Sequence, residues 1–289
     1  MSRTLAVLGS INVDLVVRVM KLPLAGETVA GGDFAQHDGG KGGNQAVAGA
    51  RALRGTDATV VMVGAVGDDD LGAAALAALS AEGVELWVLR AAEATGVALI
   101  TVDAAGENQI AVAPGANLAL GPDDVQRALR ETAPEVVLAS LEIPPDAVLA
   151  AARYCGDTGG SFVLNPAPPS LHTRELLPFV SCLTPNEGER AALGRVPDEV
   201  VVVETRGREG ARIYRGGVAT QVVPAAPFEV VDTTGAGDCF NGVLAAGMLD
   251  GLSVEDAARR GVAAAGLSVT QAGAREGMPL REEIDVTLG

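Results

Sequence analysis

The sequence predicts an α/β fold: a three-layer sandwich with a mainly parallel central sheet, plus a small β lid. Two observations predict it. Short apolar runs that suit buried strands alternate with Ala-rich segments that suit helices, an order that favours right-handed crossovers between parallel strands. Two hairpin-like segments, near residues 13–36 and 95–113, do not fit that sheet. We therefore predict a single domain over residues 1–289, with these two segments forming the β lid.

The predicted elements can be followed along the chain. Leu5 to Gly9 is an apolar run closed by glycine, which is typical of a buried central strand. Residues 13–36 alternate loosely between proline and glycine breaks, and 97–103 and 108–112 flank a hairpin turn. The remaining predictions are strands at 59–63, 135–139, 161–164, 180–183, 199–204 and 211–214, and helices at 44–53, 71–82, 122–131, 145–155, 237–249 and 254–270, the last two finishing the fold.

Composition limits the classes of function. The formal net charge of −16 argues against a nucleic-acid partner, which needs a clustered basic surface, but leaves a nucleotide ligand open. Cys155, Cys182 and Cys239 are widely spaced and only 2 histidines are present, which indicates free thiols and no zinc site. Because we find neither a signal-peptide pattern nor an apolar run of about 18 residues, we expect a cytoplasmic enzyme that does not enter a membrane.

The motif with the most chemical content is Asp232-Thr233-Thr234-Gly235-Ala236-Gly237-Asp238-Cys239-Phe240, which leads into an Ala-rich helix. Small residues at 235–237 allow backbone amides to turn toward a ligand, and the helix N terminus adds partial positive charge there. This combination predicts an anion hole for a transferring phosphoryl group, with Asp238 placed to accept a hydroxyl proton. The alternative is a glycine-rich turn in which Asp238 is an ordinary helix N-cap.

A second glycine-rich segment, Gly39-Gly40-Lys41-Gly42-Gly43-Asn44, also opens a helix. It is not a Walker A loop, because Lys41 is followed by glycine instead of Ser or Thr. Bare glycines beside a lysine and an asparagine suit the close approach of a polyhydroxylated ligand; a flexible turn with a solvated lysine is the alternative.

Asn12 and Asp14 share one face of an extended segment and suit vicinal hydroxyls, although both are also common turn formers.

Asn186 and Glu189 lie three residues apart where a short helix follows a strand, within Thr184-Pro185-Asn186-Glu187-Gly188-Glu189. Oxygen ligands on one face of the first helical turn suit a Mg²⁺ ion held mainly through water near nucleotide phosphates. The same spacing fits a capping box with Asn186 as the N-cap. From the sequence, both interpretations stay open.

Together and in this order, the motifs resemble those of the PfkB-type carbohydrate and nucleoside kinases, the family of ribokinase. The resemblance runs from about Leu5 to Leu288 and includes four further segments: Gly9-Ser10-Ile11-Asn12-Val13-Asp14, Gly64-Ala65-Val66-Gly67-Asp68-Asp69, Ser140-Leu141-Glu142 and Asn165-Pro166-Ala167-Pro168. It implies a ribokinase-like sandwich with a β lid, which in this family often pairs two subunits.

The resemblance also implies a role for each candidate residue. Asp238 would be the catalytic base, and the anion hole would be formed by Gly235, Ala236 and Gly237. The implied sugar contacts are Asn12, Asp14, Gly40, Lys41, Asn44 and Glu142. The implied contacts for nucleotide and Mg²⁺ are Asn186, Glu189, Thr205 and Gly207. A potassium-type ion beside the anion hole is implied at Asp232 and Thr234, with backbone carbonyls from the Val269 to Gly277 region.

We therefore expect ATP-dependent phosphorylation of D-ribose at O5, with Mg²⁺ and a potassium-type ion, in a homodimer formed through the β lid. The alternatives are a PfkB-type kinase for another pentose, a hexose or a nucleoside and, in a different class, a sugar-binding relative without turnover. An oxidoreductase fits less well, because no Gly-x-Gly-x-x-Gly segment follows a strand.

Overall fold

The computed structural model describes residues 3–289, and its strands form two sheets. The strands are β1 (Thr4–Leu8), β2 (Asn12–Arg18), β3 (Phe34–Gly39), β4 (Thr59–Gly67), β5 (Glu85–Ala91), β6 (Gly96–Val102), β7 (Asn108–Ala113), β8 (Val136–Ala139), β9 (Ser161–Leu164), β10 (Cys182–Leu183), β11 (Val201–Thr205), β12 (Ala211–Arg215) and β13 (Val218–Val223). Within this described part, the larger sheet has nine strands in the order β13-β12-β11-β10-β9-β8-β1-β4-β5, and the smaller has four in the order β3-β2-β6-β7.

Helices cover both faces of the larger sheet. They are α1 (Lys41–Ala52), α2 (Asp70–Ala81), α3 (Pro122–Thr132), α4 (Pro145–Thr158), α5 (Thr173–Leu176), α6 (Glu187–Leu193), α7 (Ala236–Leu249), α8 (Val254–Ser268) and α9 (Arg281–Leu288). Leu5 and Val7 of β1 belong to the core cluster under α1, α7 and α8, whereas Ala6 and Leu8 belong to the cluster under α3 and α4. Because β1 is buried on both faces, its apolar run has no polar alternation.

The predicted α/β class is confirmed. Strands β5, β4, β1, β8, β9, β10 and β11 pair in parallel, and β12 and β13 close one edge in antiparallel fashion. Four of these strands and helices were not predicted, namely the two edge strands β5 and β13, the short helix α5 and the C-terminal α9, so the prediction that 254–270 finishes the fold is wrong. Edge strands are half exposed, and their mixed residues carry a weaker pattern than a buried run does.

The smaller sheet is built from the two segments that were predicted to stand apart. Strand β2 pairs with β3 in antiparallel and with β6 in parallel fashion, and β6 pairs with β7 as the predicted hairpin. We keep the name β lid for these four strands. Strand β7 is exposed along its whole length.

The fold brings two helix N termini to one edge of the larger sheet. The chain leaves β1, passes through residues 9–11 into the β lid, and returns along β3 directly into α1. Helix α7 packs tightly on α1: a Cβ on Gly242 would lie 2.4 Å from the carbonyl oxygen of Gln45. Carboxyl ends of parallel strands are where ligands bind in such sheets, so this edge is the expected position of a site.

Candidate active site

The turn before α7 has a backbone that requires glycine. Gly235 is the N-cap with φ 73°, and a Cβ there would lie 2.6 Å from the carbonyl oxygen of Ala274. No side chain caps this end of α7 within the described chain, and a Cβ on Gly237 would meet nothing within 4 Å. The helix end is therefore open toward an external ligand, as an anion hole requires.

Asp238 lies on the first turn of α7 and is only 8% exposed. Its Oδ2 accepts a hydrogen bond from Nδ2 of Asn44 at 3.1 Å, and its Oδ1 accepts one from Nε2 of Gln45 at 3.1 Å. The N-cap of α7 is Gly235, so the capping alternative for Asp238 does not describe the structure. Two donors from α1 hold the carboxylate in one orientation.

Neighbouring groups oppose the effect of burial on the pKa of Asp238. Burial raises the pKa of Asp238, while Lys41 and the donors Asn44 and Gln45 act in the other direction. Burial also acts to lower the pKa of Lys41, yet its pKa is raised overall because it interacts with Asp238, Glu142 and Glu189. A protonated lysine therefore sits among carboxylates beside the anion hole, where it can balance a phosphate.

A cleft of about 150 Å³ is lined by Asp238 and by most of the residues predicted to contact the nucleotide. From the predicted residues it is lined by Lys41, Asn186, Glu189, Thr205, Gly235, Gly237 and Asp238. Asn165, Thr184 and Asn241 complete the polar lining. A larger cavity of about 300 Å³, between the C-terminal ends of α1 and α2, contains none of the predicted site residues.

Asn12 and Asp14 lie on β2 at the base of the β lid. A Cβ on Gly39 would lie 2.3 Å from Oδ1 of Asp14, and one on Gly96 would lie 2.3 Å from Oδ1 of Asn12. Burial raises the pKa of Asp14, whereas Arg275 and His37 lower it, and Asp238 is close enough to contribute. Asp14 therefore lies within electrostatic reach of Asp238, whereas Oδ1 of Asn12 faces Gly96 and Asn117.

Glu142 joins this group from the loop after β8. Its Oε2 accepts hydrogen bonds from the Ser10 hydroxyl and, at 3.4 Å, from the backbone amide of Lys41. Gly40 precedes that amide and has a φ of 83°. The position requires glycine, because a Cβ there would lie 2.6 Å from the backbone nitrogen of Asn12. The predicted sugar residues thus converge from β2, α1 and the β8 loop.

Asn186 and Glu189 form the capping box that the spacing also allowed. Oε2 of Glu189 accepts from the Asn186 amide at 2.8 Å, its Oε1 accepts from Nδ2 of Asn186 at 2.9 Å, and the Glu189 amide donates to Oδ1 of Asn186 at 2.8 Å. Burial raises the pKa of Glu189, which the Asn186 amide and Lys41 counteract. Thr205 lies beside Asn186 through an isolated parallel bridge, and Gly207 starts a short turn outside the cleft lining.

Asp232 connects the turn before α7 to the loop after α8. Its Oδ1 accepts from the Thr234 amide at 2.9 Å and from the Thr234 hydroxyl at 2.7 Å, and its Oδ2 accepts from the Gly273 amide at 3.0 Å. Burial alone would raise the pKa of Asp232, but these hydrogen bonds lower it overall. An ionised carboxylate therefore lies next to the turn before α7. Among residues 3–289, no group of three or more His, Cys, Asp or Glu side chains is placed to hold a metal ion.

Sequence reasoning missed several polar residues that the fold brings to this site. Gln45 donates to Asp238 and to Oδ1 of Asn165, and Asn117 donates to Oδ1 of Asn12 at 2.7 Å. Asn241 donates to the carbonyl oxygen of Gly237 at 2.7 Å. Arg275 donates to Oδ1 of Asn44 at 2.9 Å. A polar residue at a helix position that should be buried was the available signal for Gln45 and Asn241.

A family profile described as pfkB family carbohydrate kinase matches residues 2–281. The chain is 40% identical to the ribokinase of Bacillus subtilis, with 99% of each chain covered. It is 32% identical to the deoxyribokinase of Salmonella typhi, with 97% of each chain covered.

Solved structures give the same likeness. A ribokinase from Thermotoga maritima superposes with a TM-score of 0.89 at 30% identity, covering 100% of this chain and 99% of the other. The Arabidopsis thaliana ribokinase complexed with ribose and ATP gives a TM-score of 0.84 at 30% identity, with the same coverage. No helix within residues 3–289 is both long and apolar enough to cross a membrane.

Proposed function

Because the chain belongs to the PfkB carbohydrate kinase family, we propose that it transfers the γ-phosphoryl group of ATP to O5 of D-ribose, giving ribose 5-phosphate. The observation that carries this proposal is the buried carboxylate of Asp238 beside the uncapped N terminus of α7, in a cleft shared with Lys41. A base, an anion-binding helix end and a cation in one cleft suit phosphoryl transfer to a hydroxyl. The likeness to ribokinases supports ribose as the acceptor.

Different residues have different roles in an in-line transfer. Asn12, Asp14, Gly40, Asn44 and Glu142 bind the sugar hydroxyls and direct the 5-hydroxyl toward Asp238. An alcohol is a far weaker acid than the carboxylic acid of an aspartate side chain, so the proton moves to Asp238 late in the reaction. Positioning and charge stabilisation therefore carry most of the rate acceleration.

The turn before α7 stabilises the charge on the transferred group. The backbone amides of Gly235, Ala236 and Gly237, together with the helix N terminus, offer hydrogen bonds and partial positive charge to the phosphoryl oxygens. Lys41 adds a full positive charge from the facing helix. On the nucleotide side, Asn186, Thr205 and Gly207 contact ATP.

The acidic residues fit the two cations that the family implies. When bound with ATP, Mg²⁺ would supply positive charge that offsets the charge of the phosphates. Glu189 would hold it through water, since both of its oxygens already accept hydrogen bonds from Asn186. A potassium-type ion would be held by Asp232, Thr234 and carbonyl oxygens of residues 269–277, where the ionised carboxylate and the bend at Gly273, with φ 101°, fit an all-oxygen site.

We further propose a homodimer formed through the β lid and a location in the cytoplasm. The β lid exposes large apolar side chains, including Leu99, Ile110 and Val112 at 52, 56 and 57% exposure, which a second subunit would cover. Cys155, Cys182 and Cys239 are free, and burial raises the pKa of each to about 12. Unreactive free thiols fit a reducing compartment.

A panel of acceptors tests the proposed function. ADP release is measured with ATP and ribose, deoxyribose, other pentoses, hexoses and nucleosides, and the product is examined by NMR for the phosphorylated oxygen. We expect the highest kcat/KM with ribose and a product phosphorylated at O5. A higher kcat/KM with deoxyribose or a nucleoside would favour a kinase for that acceptor, and ribose binding without ADP release would favour a sugar-binding protein without turnover.

Gly39→Ala is expected to raise the KM for ribose by about 10–10²-fold, because a displaced contact of about 1 Å can cost that much. The added Cβ would lie 2.3 Å from Oδ1 of Asp14 and push the carboxylate away. The KM for ATP should stay near its wild-type value. Gly121→Ala is the matched control, since its Cβ would meet only Asp124, at 3.4 Å. An unchanged KM for ribose in Gly39→Ala would contradict the role given to Asp14.

A further inference from the structure

Arg275 is a buried arginine in the loop between α8 and α9, only 8% exposed. Its Nε donates to Oδ1 of Asn44 at 2.9 Å, and its Nη2 donates to the carbonyl oxygen of Gly39 at 3.0 Å. Its Nη1 lies 3.6 Å from Oδ2 of Asp38. One guanidinium therefore contacts both α1 and the last two residues of lid strand β3.

The contact to Asn44 determines which way its amide points. Arg275 only donates, and both oxygens of Asp238 accept from side-chain amides of α1, so the Asn44 oxygen faces Arg275 and its nitrogen faces Asp238. The reversed amide would place two donors together on one side and two acceptors on the other. Arg275 thus acts on Asp238 through Asn44.

The loop that carries Arg275 also holds the end of the β lid. Nδ1 of His37 lies 3.3 Å from Oε1 of Glu276, next to the Arg275 contacts with residues 38 and 39. Gly43 faces the guanidinium from α1, and a Cβ there would lie 2.4 Å from Nη2 of Arg275. The glycine at 43 is therefore needed to admit this arginine.

A comparison with Arg51 shows that Arg275 is not an ordinary structural arginine. Arg51 binds the same loop through the carbonyl oxygens of Arg275 and Met278, and its charge is matched by Glu82 in two hydrogen bonds of 2.6 and 2.9 Å. In the described part of the chain Arg275 has no such close carboxylate, since the Asp38 oxygen lies 3.6 Å away, and burial lowers its pKa against the opposing effect of Asp38, Asp14 and Asp238. A buried cation that is left without a bidentate partner costs stability, which points to a role in the site.

We propose that Arg275 is a positioning residue for the reaction: it orients the Asn44 amide that holds Asp238, and it ties lid strand β3 to the same point. The sugar under the β lid and the base Asp238 are thereby held in a constant position relative to each other. This inference rests on the proposed function, because it assumes that the sugar binds between Asp14 and Asp238.

Two substitutions separate the two contacts. In Arg275→Gln, the side-chain nitrogen occupies the place of Nε, so it can still donate to Asn44 while the bonds to residues 38 and 39 are lost. Arg275→Met has the same reach as Arg275→Gln but removes every donor. We expect Arg275→Met to lower kcat about tenfold and to raise the KM for ribose, whereas Arg275→Gln keeps kcat within about threefold of wild type and still raises that KM about tenfold. The KM for ATP should change less than about twofold in both.

Asn44→Ala provides the decisive comparison. If Arg275 acts through Asn44, adding Arg275→Met to Asn44→Ala should lower kcat little further, because coupled residues are not additive. Arg281→Met is the control for general loop damage: Arg281 also joins the C-terminal segment to the helices of the site, but at their far ends, through the carbonyl oxygen of Ala52 in α1 and the side chain of Asp250, the C-cap of α7. It should lower thermal stability without changing the KM for ribose.

Specific outcomes would overturn the inference. A wild-type kcat in Arg275→Met, equal kcat values in the Met and Gln variants, or additive effects with Asn44→Ala would each do so. If the Met variant does not fold, the Gln variant decides alone, and an unchanged KM for ribose would count against the role. Failure of the wild-type protein to phosphorylate ribose in the same assay would instead refute the proposed function.

Discussion

Asp238→Asn is expected to lower kcat by about 10²–10⁴ while leaving the affinity for ribose close to that of the wild type. The substitution removes the group that accepts the hydroxyl proton and keeps the size of the side chain. It also places a new NH₂ group against donors of Asn44 and Gln45, which now hold the carboxylate. The sugar hydroxyls that bind Asp14 and Glu142 are not affected.

The measurement combines ADP release at saturating ribose with ribose binding followed by calorimetry. Asp250→Asn is the matched control, because Asp250 is the C-cap of the same helix and lies outside the site. Its kcat should equal that of the wild type. Turnover of Asp238→Asn at the wild-type rate would show that the base has been assigned wrongly.

Asp14→Asn is expected to lower kcat/KM for ribose by about 10²–10³, because hydrogen bonds from hydroxyls to a charged acceptor contribute about 1.5–3 kcal/mol each. Asp14 is held against the bare backbone of Gly39, so the replacement amide has little room to turn. Its NH₂ group would also face the sugar hydroxyls with donors where the carboxylate accepted. Most of the loss should appear in the KM for ribose.

The KM for ATP distinguishes this effect from general damage. Asp14 lies on the β lid side, away from the cleft lined by Asn186 and Thr205, so the KM for ATP should stay within about twofold of wild type. Asp33→Asn, an exposed carboxylate just before lid strand β3, is the control. Equal losses for ribose and ATP would argue that the substitution disturbs the fold and not the sugar site.

Part of the candidate site followed from local sequence. Gly235 to Asp238 could be interpreted as a helix opening with an exposed anion hole, since three small residues and a carboxylate at a helix start have few other uses. The Asn186 and Glu189 spacing predicted two roles, and the capping box is present in the folded chain. Local spacing could not choose between them, because one first-turn geometry serves both.

Residues that act on the site from distant parts of the chain could not be found in this way. Asn117 reaches Asn12, and Arg275 reaches Asn44, across 105 and 231 positions. Neither residue lies in a motif that predicts a function from the sequence. The weakly patterned edge strands β5 and β13 were missed for a related reason, since half-buried segments lack the continuous apolar run of β1.

By itself the sequence determined the fold class, the separate β lid and the order of the glycine-rich turns, because burial periodicity and glycine requirements are local properties of the chain. Only the tertiary structure decided that Asp238 accepts from two amides of α1, that Lys41 shares its cleft, and that Arg275 links Asn44 to the β lid. Those contacts depend on how α1, α7 and the loop after α8 pack together. Packing brings together residues that are far apart in the sequence, and no local sequence pattern marks such pairs.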